Sequence, residues 1–237
     1  MKLRIKFQKY GAMKFVGHLD IMRYFQKAIR RADIDICYSE GFSPHQIMSF
    51  AAPLGVGITS EGEYLDIEVH TSRPSAEMIA ALNSVMVEGV HIVGCRRLAD
   101  NAKTAMSIVA AADYELFFKE DEPPATTEAF REGIHTFFEE RDEVLITKQT
   151  KKSEKVMDIK PLVYDFQVRE REGMPCFYLK LSTGSSDNLK PELVLALLFG
   201  SMGILYDGAI QIHRKDVYAS DGDGFVSLGE MGENIEA

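Results

Sequence analysis

Two hydrophobic periods alternate along this chain in one order, and the order occurs twice. Residues 2–9 alternate, with Leu3, Ile5 and Phe7 on one side and Lys2, Arg4, Lys6 and Gln8 on the other. This is the period-two pattern of a strand with one basic face. In HLDIMRYFQKAIRRAD, Met22, Phe25, Ile29 and Ala32 recur at three- and four-residue spacing, which predicts an amphipathic helix. Arg23, Lys27, Arg30 and Arg31 then fall within roughly a 100° arc opposite that stripe. Residues 34–38 predict a short strand, followed by a long loop and by YLDIEVH, in which Leu65, Ile67 and Val69 alternate. RPSAEMIAALNSVM predicts a helix with Pro74 near its first turn, and GVHIVGCRRL a strand. The order is β-α-β-β-α-β, that of a split βαβ unit.

Residues 99–112, ADNAKTAMSIVAAA, are small and weakly patterned and suit a connector. The order then begins again. YELFFK predicts a strand, and TTEAFREGIHTFFEE a helix carrying Phe130, Ile134, Phe137 and Phe138. EVLITK and LVYDFQVRE are extended, and CFYLKLS completes a hairpin across REGMP. KPELVLALLFG predicts a helix opened by Pro191, and AIQIHRKDVYA a closing strand. The expected fold is α+β: two tandem ferredoxin-like (split βαβ) units with antiparallel sheets, at 1–98 and 113–219. Residues 220–237 hold four glycines and no apolar period, and are expected to form an acidic flexible tail.

No run of eighteen apolar residues exists, so no membrane partner is expected. The N-terminus MKLRIKFQKY lacks the apolar core of a signal peptide. Cys37, Cys95 and Cys176 are scattered and odd in number, which fits reduced thiols in the cytoplasm, not a disulfide framework or zinc site. The net charge of -9 hides an asymmetry. Residues 1–31 hold nine Lys and Arg against the single acid Asp20, while five acids and no Lys or Arg follow residue 219. A strongly basic end in an acidic protein forms either a solvated face or a local patch for an anionic ligand.

Three places can carry chemistry. His18 and Asp20 stand where the chain turns into the first helix, whose unpaired N–H groups and dipole favour an anion. In the segment YSEGFSPH, Tyr38, Ser39, Gly41, Phe42 and His45 lie on an irregular loop, and the loop from 39 to 57 is expected to fold back so that His18 and His45 approach. Two histidines and an aspartate without tight ligand spacing do not specify a metal, and none is expected. The imidazoles suit an acid–base pair, and aromatic residues beside cations suit single-stranded RNA. The third place is TKQTKKSEKVMDIKP, where Lys148, Lys151 and Lys152 belong to a lysine-rich run that also suits a guarded strand edge. No phosphate-binding loop, dinucleotide fingerprint, GxSxG or HExxH is present.

The segments Gly17-His18-Leu19-Asp20, Arg30-Arg31, Tyr38 to His45, Pro53-Leu54-Gly55-Val56-Gly57 and Glu63 together resemble the opening half of the bacterial radical SAM-linked protein family. Its members occur alone or fused C-terminally to radical SAM proteins. A weaker, fold-level likeness runs to the CRISPR repeat-processing endoribonucleases. The resemblance implies a radical SAM enzyme as partner. The three cysteines here cannot supply a CxxxCxxC cluster motif, so no cofactor is expected in this chain and no radical chemistry from it alone. The expected function is a non-catalytic accessory protein that binds an RNA-type substrate, single-stranded or structured. One alternative is a metal-independent endoribonuclease using His18 and His45, and the other is a protein–protein scaffold.

Overall fold

Alternation in the first residues becomes strand β1 (Lys2–Lys9), with Leu3, Ile5 and Phe7 buried. In this computed structural model, residues 1–119, 122–149, 154–184, 187–206 and 209–236 are described, with backbone alone at 148, 149, 154 and 155. Helix α1 (His18–Arg31) buries Ile21, Phe25, Ala28 and Ile29 against β1 and its neighbours. Its buried stripe is centred one residue earlier than Met22, which is only half-buried. Arg23, Lys27, Arg30 and Arg31 are all exposed. Next come β2 (Met48–Phe50), β3 (Thr59–Glu68), α2 (Ser75–Asn83), β4 (Val90–Leu98), the single turn α3 (Ala105–Ile108) and β5 (Val109–Phe118). The second half adds α4 (Thr127–Ile134), β6 (Leu145–Gln149), β7 (Glu154–Asp158), β8 (Val163–Arg171), β9 (Met174–Ser182), α5 (Pro191–Ser201), β10 (Ile210–Asp221) and β11 (Gly224–Ser227).

The fold is mixed α+β with a large, mostly antiparallel sheet. The chain divides into two compact units, Met1–Ala111 with His213–Ala237, and Ala112–Ile212. In the first unit β1 lies between β4 and β3, antiparallel to both, and β2 pairs antiparallel with β3. The far end of β3 pairs in parallel with β10 at Thr59–His213 and Ser60–Arg214. In the second unit the strand order is β10-β5-β9-β8, only the first residues of β10 belonging there. β6 and β7 form a separate antiparallel pair. Thr126 caps α4, its Oγ1 accepting from the Ala129 N–H, and α4 continues into a π-helical turn, His135–Glu139. Phe118, Phe130, Phe177 and Phe199 form an aromatic core, Phe130 and Phe177 meeting edge to face at 4.9 Å.

Three local expectations need correction. Residues 34–38 make only isolated bridges, Ile36–Val69 and Tyr38–Gln46, and the strand lies further on, at β2. The Cys37 N–H donates to the Glu68 carbonyl while the Glu68 N–H donates to the Ile47 carbonyl, so two passes of chain share one edge of β3. Of the expected connector at 99–112, residues 99–111 belong to the first unit: the Ala105 N–H donates to Asp66 Oδ2 at 2.6 Å. The tail is ordered where flexibility was expected. β11 pairs with β10, Leu228 is buried, and Glu233 and Ile235 exchange hydrogen bonds with Arg97 and Ser75. Its glycines serve that packing: Gly222 turns at φ +67°, and a Cβ on Gly232 would meet the Arg97 carbonyl at 2.5 Å.

Candidate nucleic-acid interface

Helix periodicity places four cations on the outer face of α1, and local partners set how free each one is. Arg23 pairs with Asp20 at 3.2 Å, both well exposed, an interaction worth little and screened by salt. Arg30 Nε donates to the Gln26 carbonyl at 3.3 Å, and Arg31 Nη2 to the Val85 carbonyl at 3.0 Å. Both arginines lie in the last turn, where the helix dipole favours positive charge. Lys27 stands exposed between them and Arg23.

The loop beside this face closes on itself. The Ser39 N–H donates to the His45 carbonyl at 2.8 Å, and the His45 N–H to Ser39 Oγ at 3.1 Å. Ser39 Oγ and His45 Nδ1 lie 2.8 Å apart. Gly41 takes φ +108°, a conformation that a side chain would strain. The result is a turn that holds Phe42 fully exposed at its tip and Tyr38 half-exposed at its base. The base is fixed to α1 by Gln46 Nε2, which donates to the Gln26 carbonyl at 3.2 Å.

The expected approach of His18 to His45 has no contact to support it among the described residues. The later part of the loop does reach the start of α1: the His18 ring packs edge-on against Phe50 at 5.2 Å, and the Gly57 N–H donates to the Lys14 carbonyl at 2.8 Å. The part bearing His45 meets α1 at Gln26, eight residues further on, or about 12 Å along the axis. Each imidazole has its own partners, Phe50 for His18 and Ser39 with Ser43 for His45.

Sequence reasoning missed what becomes of the remaining basic residues. Arg4 forms a buried two-point pair with Asp66, at 2.8 and 3.0 Å. Lys6 reaches Asp216 at 3.3 Å and lies over the Tyr64 ring. Lys9 is buried, donates to the Val16 carbonyl at 2.7 Å, and sits near the buried Glu63–Arg214 pair, whose Nε–Oε1 distance is 2.8 Å. Burial pulls the Lys9 ammonium below its usual range and Arg214 adds to this, against the opposing pull of Glu63. On the basic side of β1, Arg4 and Lys6 are therefore engaged by internal acids and Lys2 donates to the Ala102 carbonyl at 3.0 Å. The acidic partners are distant in sequence, and only alternating charge on β3 hints at them.

Of the lysine-rich segment, Lys151 and Lys152 lie outside the described residues, and Lys148 is placed by backbone only, opposite Lys155. Among the predicted site residues, Arg30 and Tyr38 line one open cleft together. No helix among the described residues is long and apolar enough to cross a membrane.

A family described as "Uncharacterized protein conserved in bacteria (DUF2344)" matches residues 2–191. No curated protein matches the chain. Among solved structures, a chain of "Crystal Structure of a Cbf5-Nop10-Gar1 Complex" is similar at a TM-score of 0.49 and 11% identity. That likeness covers 91% of this chain and 48% of the other, so this chain spans about half the length of the one it matches.

Proposed function

We propose that this chain, which belongs to the uncharacterized bacterial family DUF2344, is a non-catalytic module that binds single-stranded RNA and presents it to a separate enzyme. The observation that carries this reading is the exposed row Arg23, Lys27, Arg30 and Arg31 on α1, beside a turn closed by Ser39 and His45 that holds Phe42 in solvent. Cations that follow a backbone and an aromatic face on which a base stacks are the two components of sequence-tolerant single-strand binding. That the enzyme is a radical SAM protein in the cytoplasm rests on the resemblance of the Gly17–Asp20 and Tyr38–His45 motifs. Two split βαβ units are the finer reading of the fold. The β-α-β-β-α-β order of the first unit and the β10-β5-β9-β8 order of the second support it.

The endoribonuclease alternative needs His18 and His45 at one phosphate, and their separate partners speak against it. A scaffold function is favoured by one observation: Phe15, Leu19 and Val56 are all exposed around the start of α1. The test is binding of a ten-nucleotide single strand at low salt, followed by fluorescence anisotropy. Phe42→Ala should weaken binding by about 1–3 kcal/mol without altering its salt dependence, as loss of one stacked base requires. Intact RNA after long incubation is expected with wild type. Cleavage abolished by His18→Ala would favour the nuclease, and absence of binding would leave the scaffold.

A further inference from the structure

The end of α1, the extended residues 34–38 and the loop before α2 enclose an open cleft of about 620 Å³. That volume lies in the range of small-molecule sites, roughly 300–1,000 Å³. The floor is apolar, made of buried Ile34, Ile36 and Met78. Arg30, Arg73, Asp33, Asp35 and Tyr38 complete the lining.

Arg30, Arg73 and Asp35 are each held by one hydrogen bond that leaves further donors or lone pairs, and the exposed Asp33 carboxylate lies 4.0 Å from Arg73. Arg73 Nη2 donates to the Asp33 carbonyl at 2.9 Å, and Arg30 uses only Nε, toward Gln26. A guanidinium has five donors, so several remain on each. Asp35 Oδ2 accepts from Thr71 Oγ1 at 2.9 Å, leaving lone pairs on the same carboxylate. Two cations and two carboxylates around an apolar floor do not suit a plain polyanion, which the aspartates would repel. They suit a ligand that carries an anionic group, neutral hydroxyl or amine donors, and a flat apolar body.

We propose that this cleft seats one unstacked ribonucleotide: the phosphate on Arg30 and Arg73, the base on Tyr38 over the apolar floor, and a hydroxyl or amine donor on Asp35. The proposal rests on the RNA reading of α1, since Arg30 belongs to both surfaces and continues the cationic row into the cleft. A carboxylate that accepts from the ribose 2′-hydroxyl also gives the site a means of preferring RNA to DNA.

The experiment uses the full chain, a labelled ten-nucleotide uridine strand, its deoxyuridine counterpart, and free uridine and adenosine monophosphates. Wild type should bind the ribose strand about tenfold more tightly than the deoxyribose strand. Arg73→Ala should lower that affinity tenfold or more, and Asp35→Ala, which removes the acceptor, should erase the preference for ribose, both with unchanged thermal melting. Lys27→Ala, outside the cleft, should weaken both strands equally and keep the preference. If Arg73→Ala leaves affinity for the strand unchanged, the cleft proposal is overturned while the reading of α1 stands. If wild type binds neither strand at low salt, the reading of α1 fails, and calorimetry with the monophosphates decides the cleft. Saturable binding lost in Arg73→Ala keeps it as a site for free nucleotides, and no binding overturns it.

Discussion

Arg4 and Lys6 point in sequence to one basic face, yet each is paired with an acid far along the chain, Asp66 and Asp216, and Lys9 is buried on the Val16 carbonyl near Glu63. The Arg4–Asp66 pair is buried, and Asp66 also receives the Ala105 N–H. Removing one partner of a buried pair leaves an uncompensated charge, at a cost of about 3–5 kcal/mol. Asp66→Ala should therefore lower unfolding free energy in urea by that amount, whereas Lys27→Ala should stay within about 0.5 kcal/mol. Equal, small effects would mean that the pair contributes nothing. Cys95 gives a pH signature. Burial pushes its thiol up to about 12 from an ordinary 9.0. Between those values the unfolded chain loses the proton while the folded chain keeps it, so stability falls as pH rises, by about 1.4 kcal/mol per unit. Below pH 9 both states are protonated and the contribution is constant. Urea midpoints at pH 9 and 10 should separate for wild type and converge for Cys95→Ala. Burial and the neighbouring carboxylates Asp216 and Asp113 push Tyr64 and Tyr178 up as well, so they add their own loss above pH 10.

At the scale of elements, what was legible in the sequence is what local periodicity encodes. Leu3, Ile5 and Phe7 mark β1 by alternation, and Phe25 and Ile29 mark the buried side of α1, which leaves its four cations outward. The displacement of the stripe from Met22 to Ile21 was not legible, because two adjacent apolar residues satisfy a helical period equally well. The turn at 39–45 reads as irregular from Gly41 and Pro44, but its closure by Ser39 and His45 depends on hydrogen bonds that no period encodes. The C-terminal segment was misread for a related reason. Phe225, Val226, Leu228 and Ile235 are too few to form a pattern: the first three pair with Ser220, Ala219 and Val217 across a short hairpin, and Ile235 with the remote Ser75. Deleting residues 222–236 should lower the melting temperature and speed proteolysis, since it removes β11 and the buried Leu228. A truncated chain as stable as the whole would restore the flexible-tail reading.

Across the whole molecule, a net charge of -9 makes indiscriminate binding to nucleic acid unfavourable, so any RNA contact must be local. Internal pairing narrows it further. All nine N-terminal cations acting on phosphates would give a log–log salt slope near -6, at about -0.7 per phosphate on a single strand. Arg4, Lys6 and Lys9 are engaged internally, Lys2 donates to the Ala102 carbonyl and Lys14 lies over the Phe15 ring, both outside α1; the four cations of the α1 row, Arg23, Lys27, Arg30 and Arg31, predict about -3. The measurement that tests this most directly is the affinity for a ten-nucleotide single-stranded RNA across a series of salt concentrations, for wild type and for Arg30→Ala with Arg31→Ala. The predicted result is a slope of about -3 that flattens by about 1.4 in the double variant. A slope indifferent to both substitutions, or affinity indifferent to salt, would contradict the assignment of α1 as the RNA-binding face.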